Sequence, residues 1–211
     1  MCRGAIQGSV SIITGEGNVV SDKRFIGPTL DITTDQGDIT IASCYSDQSK
    51  FSTRWGNMTL RNLHNESYVA VYEQGKVKMQ GVDGSTNVFM KKGELDIQIS
   101  HVVNESRLHV EEGDINLKMA NNQPVKVCVT GTEVETDQQF SKFGTVQTKE
   151  DNYQHYLGTI MPNQFSPTCQ VVAEKGKVTV ESQDWATSMG FKLPGGVTLP
   201  PDLDIKREGG F

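Results

Sequence analysis

Four histidines, His64, His101, His109 and His155, are the side chains best suited to moving a proton or holding a metal near neutral pH. None pairs with another at the spacing that puts two ligands on one helix face. His109 stands between Leu108 and Val110, so it is expected to point outward, on a face shared with Phe89 and Ala70. That face supplies no metal triad, and structural or solvent-facing roles are expected for all four. Carboxylates are plentiful: 26 Asp+Glu stand against 20 Lys+Arg, for a net charge of -6. A polysaccharide-cleaving site needs two carboxyls on one face at a retaining or inverting separation. The spacing brings Asp96 beside Asn116 and Lys78, which is a place for such chemistry but not a pair. No nucleophile elbow, P-loop or dinucleotide fingerprint is present. No catalytic residue, cofactor or metal ligand is therefore assigned.

The elements that would position these groups follow from a repeat. A glycine, one polar residue and an apolar-x-apolar triplet recur as Gly37-Asp-Ile-Thr-Ile, Gly56-Asn-Met-Thr-Leu, Gly75-Lys-Val-Lys-Met, Gly93-Glu-Leu-Asp-Ile and Gly113-Asp-Ile-Asn-Leu. Their glycines are spaced by 19, 19, 18 and 20 residues. Gly17 and Gly131 begin looser copies, and Gly176-Lys-Val-Thr-Val is a late one. A second alternating run precedes each glycine, as in Leu30-Asp-Ile32, Val69-Ala-Val71, Val88-Phe-Met90 and Leu108-His-Val110. Apolar residues two apart share one strand face, so each unit reads as strand, tight turn at glycine, strand. An antiparallel sandwich or barrel has no need of equal spacing, whereas stacked units do. The expected fold is all-β: a single-stranded parallel β-solenoid (β-helix) of about 19-residue coils. One apolar column should run through Ile39, Met58, Val77, Leu95 and Ile115, and a second through Ile41, Leu60, Met79, Ile97 and Leu117. The polar column Asn18, Asp38, Asn57, Lys76, Glu94, Asp114 contains a lysine and two amides, which suits a screened surface ladder rather than a Ca²⁺ site.

Repeats are expected over 1–135, and an irregular insertion or cap over 136–170. A final repeat over 171–190 belongs to the same domain, and 191–211, rich in Pro and Gly, reads as an extended tail. The 136–170 segment concentrates aromatics, and Phe140, Phe143, Tyr153, His155 and Tyr156 are the candidate interaction residues, on a hairpin covering an end or side of the stack. Cys44, Cys128 and Cys169 lie in or beside strand-like runs, where buried thiols are expected. Sequons at Asn57, Asn65 and Asn104 are about as many as chance provides.

The Gly-polar-apolar-x-apolar units, over about 8–182, resemble the adhesin-like β-solenoid family. The resemblance implies a fold and carries no catalytic residue set. The acidic charge excludes binding driven by phosphate neutralisation, so no nucleic-acid partner is expected. No run approaches the about 18 apolar residues of a membrane span, so no transmembrane segment is expected. The array is already running by Gly8 without an atypical first unit, so a truncated N-terminus is expected. The first residues carry no secretory signal, and on that ground with the family resemblance an intracellular place, cytoplasmic or mitochondrial, is favoured. The functional expectation is a non-enzymatic interaction surface or scaffold for an as yet unknown protein partner. The alternative is a carbohydrate-binding or carbohydrate-cleaving β-helix.

Overall fold

A computed structural model of the chain describes residues 4–148 and 153–183. The tail expected over 191–211, the end of the 171–190 repeat and Cys2 lie outside the described residues. Among the described residues the structure is all-β apart from one 3-10 turn, Phe140–Lys142. The strands are β1 (Ile6–Gln7), β2 (Val10–Glu16), β3 (Val19–Gln36), β4 (Ile39–Trp55), β5 (Met58–Val102), β6 (Ser106–Glu112), β7 (Ile115–Ala120), β8 (Val125–Gly131), β9 (Glu133–Thr136), β10 (Gly144–Thr148), β11 (Gln154–Ile160), β12 (Thr168–Lys175) and β13 (Lys177–Gln183). Held straight, a strand as long as β5 would extend roughly 150 Å. It turns corners instead, where Asn62 (φ 48°), Asn65 (φ 65°) and, one unit later, Gly81 (φ 68°) enter the left-handed region.

Successive units lie against each other in parallel. Ile39 pairs with Met58 and Ile41 with Leu60 across β4 and β5. Leu95 pairs with Ile115 and Ile97 with Leu117 across β5 and β7. Every residue of the two expected apolar columns is buried. A facing wall is built the same way from Leu30, Ile32, Phe51, Val69, Val88, Met90, Leu108 and Val110, and a corner wall from Phe25, Cys44, Leu63, Val82 and Val102. The arrangement is β-solenoid-like.

Two polar features, one internal and one on the surface, add to the apolar columns. Ser49, Ser67, Thr86 and Ser106 are buried hydroxyls within the facing wall. The Ser67 hydroxyl donates to Thr86 Oγ1 (2.8 Å), and the Thr86 N–H donates to Ser106 Oγ (3.1 Å), so these polar groups satisfy one another from coil to coil. On the surface, the side-chain oxygens of Asn18, Asp38 and Asn57 accept the N–H of Asp38, Asn57 and Lys76 at 2.8, 2.7 and 2.9 Å. The polar column is thus a stitched seam at the start of each strand, and Lys76 continues it with an ion pair to Glu94.

The late repeat is last in sequence but not in space. β12 lies between β6 and β8, parallel to both, and β13 lies between β7 and β9. The coil of β8 and β9 is thereby pushed one level outward, and its free edge is covered by the antiparallel hairpin β10–β11, with β11 against β8. Spacing along the chain could not reveal this order, because the Gly176 unit matches the columns equally well at any level.

Glycine is required where coils touch backbone to backbone. A Cβ added to Gly93 (φ 137°) would sit 1.7 Å from the Gly75 carbonyl oxygen. One added to Gly15 would meet open space. Gly93→Ala is therefore expected to cost about 2–4 kcal/mol by urea unfolding, and Gly15→Ala to stay within about 0.5 kcal/mol of wild type. Equal effects in the two variants would contradict the stacking.

Candidate functional site

Alternation sends the middle residue of each apolar-x-apolar triplet outward. On the facing wall this produces an aromatic strip that crosses the coils. Tyr68 and Tyr72 lie on one coil, with Phe89 and His109 on the next two. Phe89 pairs with His109 in register, and His109 with Val172. The Tyr72 and Phe89 rings are 6.5 Å apart, and Phe89 meets His109 edge-on at 5.7 Å. His109 Nε2 contacts Glu174 at 2.9 Å, and the Tyr153 hydroxyl donates to the Glu174 carbonyl at 2.9 Å. His155 Nδ1 stands 3.0 Å from Thr130 Oγ1 at the far end. Tyr68 and Tyr72 are 38% and 46% exposed, while the small outward residues Ser52 and Ala70 between larger neighbours are buried and form a floor. Partial burial, then the neighbouring Tyr72, holds the Tyr68 phenol above its ordinary range.

A second cluster occupies the corner where Asn62, Asn65 and Gly81 bend the chain. Asp83 lies between two imidazoles: His64 Nδ1 and His101 Nδ1 each stand 3.4 Å from one of its oxygens. The His64 ring stacks on Tyr45 at 4.1 Å, and Arg24 caps Tyr45 at 4.9 Å. The cluster lies between two cavities, of about 570 and 390 Å³, which share His64 and Asp83. Asp47, Glu66 and Glu105 line the larger; Asn62, Ser100 and Gln123 line the smaller. One carboxylate shared by two rings orients both. Helix-based ligand spacing misses this cluster. The repeat length is the signal that finds it, since 64, 83 and 101 follow one another by about a coil each. Among the described residues no three His, Cys, Asp or Glu side chains form a group able to hold a metal ion.

The candidate interaction residues divide into two sets. Phe140 and Tyr156 are buried, and the Tyr156 hydroxyl donates to the Phe140 carbonyl at 2.9 Å. Burial, with Asp137 nearby, pushes the Tyr156 phenol up to about 12. Phe143 packs half-buried against the core and edge-on to Phe140. These three close the end of the stack. Tyr153 and His155 stay half-exposed where the aromatic strip ends.

Elsewhere several polar groups pair across neighbouring units. Asp96 pairs in register with Asn116 and stands 3.7 Å from Lys78; Glu181 stands 3.3 Å from Lys118. Cys44 and Cys169 are buried free thiols, and burial pushes Cys169 up to about 12; Cys128 is half-buried and free. Asn65 donates to the Ser46 carbonyl, whereas Asn104 lies exposed. No helix among the described residues is long and apolar enough to cross a membrane.

A family model described as Toastrack DUF4097 matches residues 5–184. No solved structure matches the chain.

One carboxylate ties the cap to the inserted repeat. Asp137 accepts the N–H groups of Gln139, Phe140 and Ser182 and the Ser182 hydroxyl, at 2.7–3.0 Å. Burial raises its pKa, but these hydrogen bonds outweigh burial and leave it below the ordinary 3.8. A lowered folded-state value stabilises the protein above the unfolded pKa, and this contribution is lost as pH falls through the folded one. Asp137→Asn should therefore lower the urea midpoint at pH 7, with the gap to wild type closing as pH drops below about 4. A gap independent of pH would remove the carboxylate from this account.

Proposed function

We propose, from the premise that the chain belongs to the Toastrack DUF4097 family, that it is a parallel β-solenoid whose outer face binds a protein partner. This is the interaction-surface or scaffold role expected from the regular ladders of the repeat. The family's β-solenoid-like fold supports the frame, and the parallel pairing of successive units, with register shifts confined to a few points, supports the winding. The observation that carries the functional reading is the strip Tyr68, Tyr72, Phe89 and His109, continued by Tyr153 and His155. Aromatic side chains over a floor of small residues bury a large apolar area at low entropic cost and dominate protein contacts. Here they are held in place by the coils beneath, so little ordering is needed on binding.

A second reading is favoured by the smaller corner cavity. Asn62, Asp83, Gln123 and two imidazoles beside Tyr45 offer the planar hydrogen-bonding groups and ring edge that suit a sugar. It differs from the first in location and in ligand, so the two are separable.

Cross-linking of neighbours in cells, followed by mass spectrometry, tests the first reading. A recurrent protein is expected with wild type. Tyr72→Ser with Phe89→Ser should weaken its binding at least tenfold, about 1.4 kcal/mol or more, while Lys78→Ser on the opposite wall leaves it unchanged. The absence of any protein above controls overturns the reading. A glycan-array signal abolished by Asp83→Asn but not by the strip variants would put the sugar reading in its place.

A further inference from the structure

The insertion of β12 and β13 makes this segment a wedge between two coils that fit one another. Cys169 pairs with Ser106 on one side and Val127 on the other, and Val171 with Leu108 and Val129. Val178 pairs with Ile115 and Val134. The two walls of the slot thus carry the same columns in the same register. The wedge is bound chiefly by groups far away in sequence. Lys177 N–H donates to Asp114 (2.8 Å), Lys175 pairs with Glu112 (3.0 Å), and Ser182 N–H donates to Asp137 (2.7 Å). A Cβ on Gly176 would lie 1.9 Å from the Gly113 carbonyl oxygen, so the slot admits only a segment with glycine at this level.

The connection into the wedge is slack and strained. β11 and β12 flank β8 on opposite sides, so the 161–167 linker crosses two strand spacings, about 10 Å, while about seven extended residues reach roughly 25 Å. Met161, before a proline, is held at φ 43°, a conformation costly for a residue with a side chain, and is 56% exposed. Phe165 is 84% exposed. A strained residue at the hinge, ahead of a segment bound chiefly by groups far from it in sequence, is an arrangement that permits strand exchange.

We propose that residues 168–183 are an exchangeable wedge, and that the slot between β6–β7 and β8–β9 accepts the same segment from a second copy of this chain. The second copy is the fitting occupant because its segment reproduces each contact made within one chain: the glycine against Gly113, Lys175 at Glu112 and Ser182 at Asp137. The linker straightens in the exchanged form, which releases Met161 from its left-handed conformation. Because Glu174 contacts His109 and Tyr153, the exchange also joins the aromatic strips of two chains through one wedge.

The test needs no substitution. Equal amounts of unlabelled and nitrogen-15-labelled full chain are unfolded together in urea and refolded by dilution over a tenfold range of protein concentration. The products are separated by size. Carbodiimide then condenses the Lys175 amine with the adjacent Glu112 carboxylate, and the linked peptide is weighed. The ratio of dimer to monomer is expected to rise about tenfold over that range, since pairing is bimolecular while closure within a chain is not. In the monomer the 112–175 link should join like isotopes only, which provides the internal control. In the dimer about half of the links should join unlike isotopes, as random pairing of two chains requires. Monomer alone at every concentration overturns the proposal. So does a dimer whose 112–175 link joins only like isotopes, because its chains then associate without exchanging the wedge.

Discussion

Backbone meeting backbone at the glycine column is the constraint on which the rest depends. Gly37, Gly56, Gly75, Gly93 and Gly113 each place their α-carbon where a Cβ would fall within 2.1 Å of the preceding glycine's carbonyl oxygen. At that approach a side chain has no space, and the level of each coil is set at one point of its circumference. The hydrogen-bonded spacing of parallel strands sets the level elsewhere. With both fixed, a unit that slips by one residue would turn Leu95 and Ile97 out to water and Glu94 and Asp96 into a dry interior. Apolar columns, buried hydroxyls and the Asn/Asp seam are consequences of this lock. Each requires chemically matching residues to recur at one level spacing.

The lock explains what could be read from the chain. The columns through Ile39 and Ile41 were legible because burial demands the same residue class at each turn. The outward direction of Phe89 and His109 was legible from alternation alone. What lay hidden depends on contacts that leave no periodic trace. Phe140 and Tyr156 were legible only as candidate interaction residues on a hairpin covering an end or side of the stack, since alternation fails over 136–170. A stack nevertheless ends on an open apolar cross-section, and large side chains are what cover it. The His64–Asp83–His101 cluster was hidden for another reason. It is periodic with the coil, but His64, Asp83 and His101 lie outside the Gly-polar-apolar-x-apolar unit that carries the visible period. The level of the Gly176 unit was illegible in principle, because identical columns are blind to order.

Separating a uniform interior from a free exterior bears on function. Inward positions are restricted to apolar groups or paired hydroxyls. Outward positions are restricted only in not repelling their neighbours one coil away. The exterior shows three local solutions: lysine–carboxylate pairs such as Lys76–Glu94 and Lys91–Glu73, the amide seam, and the aromatic strip. Exposed ion pairs contribute little net stability, about 0–1 kcal/mol each, and serve mainly to keep like charges apart. Aromatic side chains on an exterior that does not need them for the fold are a different matter. They leave apolar area in water, a cost that contact with another molecule removes.

The wedge alters how this exterior is built. In a stack assembled in chain order, neighbouring coils come from neighbouring segments, and a binding strip forms as the chain propagates. Here His109 and Thr130 lie two levels apart, with Val172 between them, so the strip is incomplete until the last strands arrive. The slot they fill is bounded by surfaces that could close on each other, with Val129 meeting Leu108 and Val134 meeting Ile115. Seating the wedge separates those surfaces and replaces one apolar junction by two. The gain in burial is offset by the entropy of ordering the segment and by strain at Met161. The same residues therefore complete the outer face, so a partner that spans His109 and Tyr153 and binds only the seated form would stabilise the seated wedge.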